Sequence, residues 1–469
     1  MRDLRQARES AGPFPLSWVA DAVFYQVFPD RFANGNPNND PPGTLPWGDV
    51  PTREAFFGGD LEGVVEHLDY LQDLGITALY LNPVFAAGTN HRYDTWDYFS
   101  VDPILGGMEA LERLVIEVHR RGMRVILDGV FNHCGEGFEP FVDLVEKGAD
   151  SAYRDWFIAR SFPIQRSPLT YMTCSGAPYL PKLNTANSAV REYILKVARH
   201  WTVEIGIDGW RLDVPYKIPR DFWAEFREAV KSINPSAYIV GEVWREPAIW
   251  LRGDTFDGTT NYRLRELLLD YCAAEILDAE DFAFETQQLV ASCGPLAANM
   301  LNLVGSHDTP RILTRLGGDA ARLRIALTFL MTIPGAPLVF YGDEVGMLGD
   351  NDPDCRRPML WSPEDWHPHV LDSHRRLITL RREHQACRYG QIESLVTFNG
   401  VYAYRRAWNG DEIIVVLNPR ESLADLEVPT HSGRIEWQEL YSDAGLSTPD
   451  GVLRLPIVPA RSAQVFVPR

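Results

Sequence analysis

Residues 206–215 read GIDGWRLDVP, a short apolar run that closes on an acidic residue, Asp213. The pattern recurs twice downstream. YIVGEVW (238–244) carries Glu242, and NLVGSHD (302–308) carries Asp308. One such carboxylate can be structural. Three, each closing a separate strand-like run, point to the mouth of a barrel, because a (β/α)8 barrel keeps its chemistry at the C-terminal ends of its strands. Two carboxyls facing one bond, one ionised and one protonated, are the machinery of glycoside hydrolysis, and a third can hold substrate.

Outward from these three runs, strand-like and helix-like stretches alternate from about residue 22 to 385. The strand candidates are 23–29, 78–84, 124–131, 207–214, 237–244, a weak GTTNY at 258–262, 300–306 and 337–344. Between them lie amphipathic stretches. LEGVVEHLDYLQDLG (61–75) has apolar residues at helical spacing and stops on Gly75. EALERLVIEVHRRG (109–122) begins acidic and ends basic, as the helix dipole favours. Eight βα-like repeats predict a closed parallel TIM barrel of α/β class. Residues 132–187 break the alternation and are far longer than an ordinary βα loop, so they are expected to form a small inserted domain after strand 3. From 386 to 469 short β-rich runs separated by turn residues predict a C-terminal antiparallel β-sandwich. The expected division is therefore 1–131 and 188–385 for the barrel, 132–187 for the insertion and 386–469 for the sandwich.

Composition excludes several classes. The 45 Lys and Arg against 64 Asp and Glu leave a formal charge of −19, which argues against a nucleic-acid or anionic-membrane partner. No run reaches the ~18 apolar residues of a membrane helix. The N-terminal MRDLRQARESAGPFPLSW has no apolar leader core. Six cysteines lie scattered, without metal or disulfide spacing. Free thiols and a cytoplasmic location are expected.

The ordered segments DGVFNH (128–133), GWRLDVP (209–215), GEVW (241–244) and VGSHD (304–308) resemble the four signature segments of the α-amylase family of glycoside hydrolases. LPKLN (180–184) resembles a fifth segment as found in the neopullulanase, cyclomaltodextrinase and maltogenic amylase group. Residues 25–43, 90–103, 250–262 and 352–361 are similar to that group as well. The resemblance implies a retaining hydrolase of α-1,4-glucans such as maltooligosaccharides and cyclodextrins. A 4-α-glucanotransferase or α-glucosidase on the same scaffold, or a glucan-binding protein without catalysis, are the alternatives. It implies Asp213 as nucleophile, Glu242 as general acid/base and Asp308 as the third catalytic carboxylate. Arg211, two residues before Asp213 on one strand, points to the same side and would hold it ionised. Glu242, among apolar and acidic neighbours, is expected to have its pKa raised.

Tyr93, Asp94, His133, Arg211, Trp244, His307 and Arg356 are implied to bind sugar, Tyr93 as an aromatic platform. Asp128 is expected to brace the barrel mouth through Arg211. Asn34, Asn36, Asn39 and Asp40 share one Pro/Gly-rich loop, and Gly58 and Asp60 follow in FFGGD. Close-spaced oxygen donors on flexible backbone suit a structural Ca²⁺, and related enzymes hold one here. Members of the subgroup carry an extra β-domain before the barrel that supports dimerisation. The first strand-like run opens at Val23, so that domain is expected to be absent, and the oligomeric state is left open.

Overall fold

A computed structural model describes residues 15–469 of the chain. The reading of a leaderless N-terminus falls on residues 1–14, outside the described residues. Eight strands are short and, apart from the exposed Arg124 at the start of the third, buried: β1 (Phe24–Val27), β2 (Ala78–Leu81), β3 (Arg124–Gly129), β4 (Gly209–Leu212), β5 (Tyr238–Gly241), β6 (Gly258–Asn261), β7 (Leu301–Leu303) and β8 (Ala336–Phe340). They pair in parallel in sequence order, and β8 closes on β1 through Phe24–Leu338, Tyr25–Val339 and Gln26–Phe340. Helices on the outer face and side chains in the lumen bury these strands on both sides. That is why they read as continuous apolar runs and not as alternating ones.

The outer helices include Gly107–Arg120, Ser188–His200, Arg220–Lys231, Tyr262–Cys272 and Ala320–Thr332. The stretch read as one helix over 61–75 is two, Leu61–Glu66 and Leu68–Leu74, hinged at His67. The His67 ring stacks on Trp361 at 3.7 Å, and its Nδ1 lies 2.8 Å from the Gly63 carbonyl. Gly75 ends the second helix at φ +94°, a left-handed stop that glycine accepts freely.

After β3 the chain leaves the barrel and returns at the helix Ser188–His200. This excursion holds the helix Glu139–Lys147 and a small core in which Phe141 meets Phe157 and Tyr171, each at 5.1 Å between ring centres. LPKLN runs back beside the end of β3. Leu183 N–H donates to the Asn132 carbonyl (3.0 Å) and Cys134 N–H to that of Pro181 (3.1 Å).

Beyond residue 390 a six-stranded antiparallel sheet faces a two-stranded one, Leu423–Pro429 with Val452–Val458. Val401, Ala403, Ile414 and Val416 pack against Leu426, Val428, Leu453 and Leu455 between the layers. The other face of the large sheet, with Tyr402, Tyr404 and Val415, continues the core of the barrel helices. All six cysteines are buried and unpaired. Among the described residues no helix is long and apolar enough to cross a membrane.

Candidate active site

The C-terminal ends of β3, β4 and β5 meet around one guanidinium. Arg211, buried on β4, donates from Nη1 to Asp128 Oδ1 (2.8 Å) and Asp213 Oδ1 (3.1 Å), and its Nη2 lies 3.1 Å from Glu242 Oε2. Charge-assisted bonds of this kind fix direction as well as distance. Asp128 is the brace: its Oδ2 accepts from the hydroxyls of Tyr80 (2.7 Å) and Tyr93 (2.8 Å). Burial pushes the Asp128 carboxyl up, and Arg211 pulls against it.

Asp213 and Glu242 thus share one cation. Burial first, and then the Glu242 carboxylate, push Asp213 well above the ordinary carboxylate range against the pull of Arg211. The bonds that hold them differ. Glu242 is ion-paired with Arg211 and accepts from the Val214 backbone N–H at Oε2 (2.9 Å) and from the Trp244 indole at Oε1 (3.0 Å). Asp213 has only the single Arg211 contact. The sequence reading expects a raised pKa at Glu242; in the structure burial raises that of Asp213. The indole and backbone donors at Glu242 are ones that a solitary GEVW motif does not disclose.

Beside the pair stands a second network. Burial, then Arg356 and Arg211, hold His307 well below the ordinary imidazole range, so it is neutral. Gln26 Nε2 donates to Asn82 Oδ1 (2.9 Å) and to His307 Nδ1 (2.7 Å). The remaining His307 proton is then on Nε2, 2.6 Å from the Tyr93 hydroxyl and 3.1 Å from Asp308 Oδ2. Tyr93 lies parallel to the His307 ring, 5.5 Å between centres. Asp308 Oδ1 meets Arg356 Nη2 at 3.3 Å, and Arg356 also donates to the His307 carbonyl and pairs with Asp352. His133 is buried. Its Nδ1 lies 3.2 Å from Asn132 Nδ2, and its Nε2 has no protein partner.

Trp244 lies face to face with Tyr262, 3.8 Å apart and 4° from parallel, and remains 37% exposed. The exposed Tyr216 and Ile249 line the same rim. Asp94 differs from its predicted place. Its carboxylate is buried inside its own loop, bonded by the Thr89 hydroxyl (2.5 Å) and the Gly88 N–H (3.1 Å), so it braces the loop that presents Tyr93.

Three contributors went unread in the sequence. Gln26, a polar residue in the apolar VFYQVFP, was the visible signal. Lys182, which donates to Asn132 Oδ1 (2.7 Å) and ties LPKLN to the barrel, lay in a segment read only as a neighbour. Val214 gave no signal, because its contribution is a backbone N–H. It sits at φ 34°, ψ 52°, a left-handed conformation that a β-branched residue adopts only under strain.

The 34–60 cluster divides. Asp60 is a helix cap. Its Oδ1 accepts from the Gly63 and Gly35 N–H groups, and its Oδ2 from the Asn36 N–H and the Asn39 amide. Asn36 Oδ1 accepts from Asn38. Asn34 Nδ2 donates to both oxygens of Asp40, while Asn34 Oδ1 and Asn39 Oδ1 are buried without a partner. Burial pushes Asp40 up. Gly58 closes on this point: a Cβ there would stand 2.3 Å from Asp40 Oδ1. Among the described residues no three His, Cys, Asp or Glu side chains are grouped to hold a metal. Two orphaned amide oxygens beside a carboxylate nevertheless fit a hard cation.

Residues 26–370 match the family model described as "Alpha amylase, catalytic domain". The chain belongs to the α-amylase family. It is a glycoside hydrolase by that membership. It is 46% identical over 418 residues to a cyclomaltodextrinase of Geobacillus thermopakistaniensis, covering 88% of this chain and 71% of that protein. It is 43% identical over 451 residues to neopullulanase 2 of Thermoactinomyces vulgaris, covering 94% and 77%. The solved structure of a cyclic α-maltosyl-(1→6)-maltose hydrolase from Arthrobacter globiformis superposes with a TM-score of 0.89 at 43% identity, covering 97% of this chain and all of that one.

Proposed function

We infer that this enzyme hydrolyses α-1,4-glucosidic bonds with retention, acting on maltooligosaccharides, cyclodextrins and related α-glucans. The observation that carries the reading is the single Arg211 guanidinium held between Asp128, Asp213 and Glu242, with Asp308 beside them. Glu242 is the general acid, steadied by Trp244 and Val214 N–H groups. Asp213 attacks the anomeric carbon and forms a glycosyl ester. Positive charge developing at that carbon favours ionised Asp213, and Glu242 gives its proton to the leaving oxygen. Glu242 then removes a proton from water, and that water releases the sugar. His133 Nε2, His307 and Arg356 supply donors for ring hydroxyls, and Asp308 accepts from them.

Asp213→Asn and Glu242→Gln should each lower turnover at least ~10³-fold while substrate binding persists. Proton NMR of the first product should show the α-anomer. Near-normal turnover in either variant, or an initial β-anomer, overturns the reading.

A structural Ca²⁺ at the 34–40 loop belongs to the same proposal. Asn34, Asn39 and Asp40 would hold it, with Gly58 giving the backbone room and Asp60 and Asn36 fixing the loop as caps. Such an ion supplies rigidity and no step of the reaction. A cytoplasmic location is proposed as well, supported by six buried free thiols.

A further inference from the structure

Trp96 lies outside the catalytic network, on the hairpin formed by Phe85–Ala87 and Thr95–Val101. Ala87 pairs with Thr95 and Ala86 with Asp97, so Trp96 is the extra residue of a β-bulge. A bulge re-aims side chains, and here it leaves Trp96 and Asp97 exposed side by side. A lone exposed tryptophan needs no explanation. The seat beneath this one does. A Cβ on Gly137 would meet indole carbons Cδ2, Cε2 and Cγ at 2.6–2.7 Å, one on Gly135 would meet Cδ1 at 2.7 Å, and one on Gly88 would meet Cζ2 at 2.4 Å. Three glycines from two loops thus receive the ring, yet 43% of the residue faces water.

The seat is coupled to the site. Gly88 N–H donates to Asp94, beside Tyr93, and Gly135, two residues after His133, donates to the Thr95 carbonyl (2.8 Å). Asp97 accepts one bond at each oxygen, from Phe99 N–H (2.8 Å) and the Ser100 hydroxyl (2.6 Å), so each retains acceptor capacity toward solvent.

We propose that Trp96, with Asp97 at its edge, is a binding platform for an outer glucose unit of an α-glucan chain, a ring beyond those that occupy the catalytic centre. The proposal rests on the α-glucan reading above. An indole seated on glycines and still 43% exposed offers an apolar surface to the C–H face of a pyranose, and the carboxylate beside it accepts from the hydroxyls that rim that face. Because the glycines immobilise the ring beforehand, little side-chain entropy is lost on binding.

The test compares maltotriose with maltoheptaose in the full-length protein. Trp96→Ala should raise KM for maltoheptaose roughly 3- to 10-fold while kcat on both substrates and kcat/KM on maltotriose stay near wild type. Trp96→Phe should restore most of the loss. Gly137→Ala, which tilts the ring without removing it, should reproduce the Trp96→Ala effect. Equal losses on both substrates, or an unchanged ratio in both the Trp96→Ala and Gly137→Ala proteins, would overturn the platform and leave the ring a structural staple. If the unaltered enzyme turns over neither glucan, the α-glucan reading itself fails and the platform fails with it. Turnover by the unaltered enzyme with no chain-length effect in the variants removes the platform alone.

Discussion

Arg211→Met tests the charge arrangement at the barrel mouth. Methionine keeps most of the length of arginine and removes its charge from a site whose side chains are 2% (Arg211), 0% (Asp128), 9% (Asp213) and 5% (Glu242) exposed. Breaking a buried pair by removing one partner costs about 3–5 kcal/mol. For a chain of 469 residues the unfolding entropy is about 1 kcal/mol per kelvin, so Tm should fall by about 3–5 °C at pH 8. The loss should depend on pH in one direction. Burial and Glu242 raise the folded-state pKa of Asp213, and burial raises that of Asp128. Such groups contribute stability that is complete below about pH 4 and is lost as pH rises through the folded pKa. Arg211 limits that loss by pulling both values down. Without it they climb further, and the deficit relative to wild type widens between pH 5 and pH 8. Calorimetric scans of both proteins at the two pH values decide the matter. An equal deficit at pH 5 and pH 8 would mean that Arg211 matters only as packing, and an unchanged Tm at pH 8 would remove the electrostatic account altogether.

Other outcomes follow from the same geometry. Val214→Gly should relieve the left-handed strain, leaving Tm unchanged or raised by about 1 °C, while kcat falls several-fold because the donor to Glu242 is no longer fixed; a clear fall in Tm would contradict this. Chelation of Ca²⁺ should lower Tm more than initial activity, and an unchanged melting curve with no metal by elemental analysis would leave the 34–40 loop an ordinary turn. Comparison of kcat/KM on β-cyclodextrin, maltohexaose and soluble starch should favour the small substrates; a starch value well above both would point to a general α-amylase.

Much of the barrel was legible because its strands are buried on both faces, so most of them appear as apolar runs between amphipathic stretches. The weak GTTNY run is β6 for a reason that hydropathy does not register. Gly258 is there because a Cβ would come within 2.1 Å of the Asn299 carbonyl, and the threonines are buried, with Thr260 Oγ1 accepting from the Val243 N–H (3.1 Å). The break at His67 was hidden for the opposite reason: apolar spacing continues through it, while the His67 ring packs on the distant Trp361 and on Phe32.

Within the site, acidic residues at strand ends were legible one by one, but their mutual charge balance was not. Arg211 could be placed beside Asp213 from a two-residue spacing. That its second arm reaches Glu242, and that Glu242 also draws the Val214 and Trp244 N–H groups, depends on two strands meeting at a particular register. The consequence is chemical. The sequence invites a fixed assignment, with a proton on the acid and none on the nucleophile. In the assembled site burial and the neighbouring Glu242 raise Asp213 against the pull of Arg211, and positive charge developing on the sugar favours its ionised form. The Arg211 guanidinium, held between Asp128, Asp213 and Glu242, is thus the group on which the charge of the nucleophile depends.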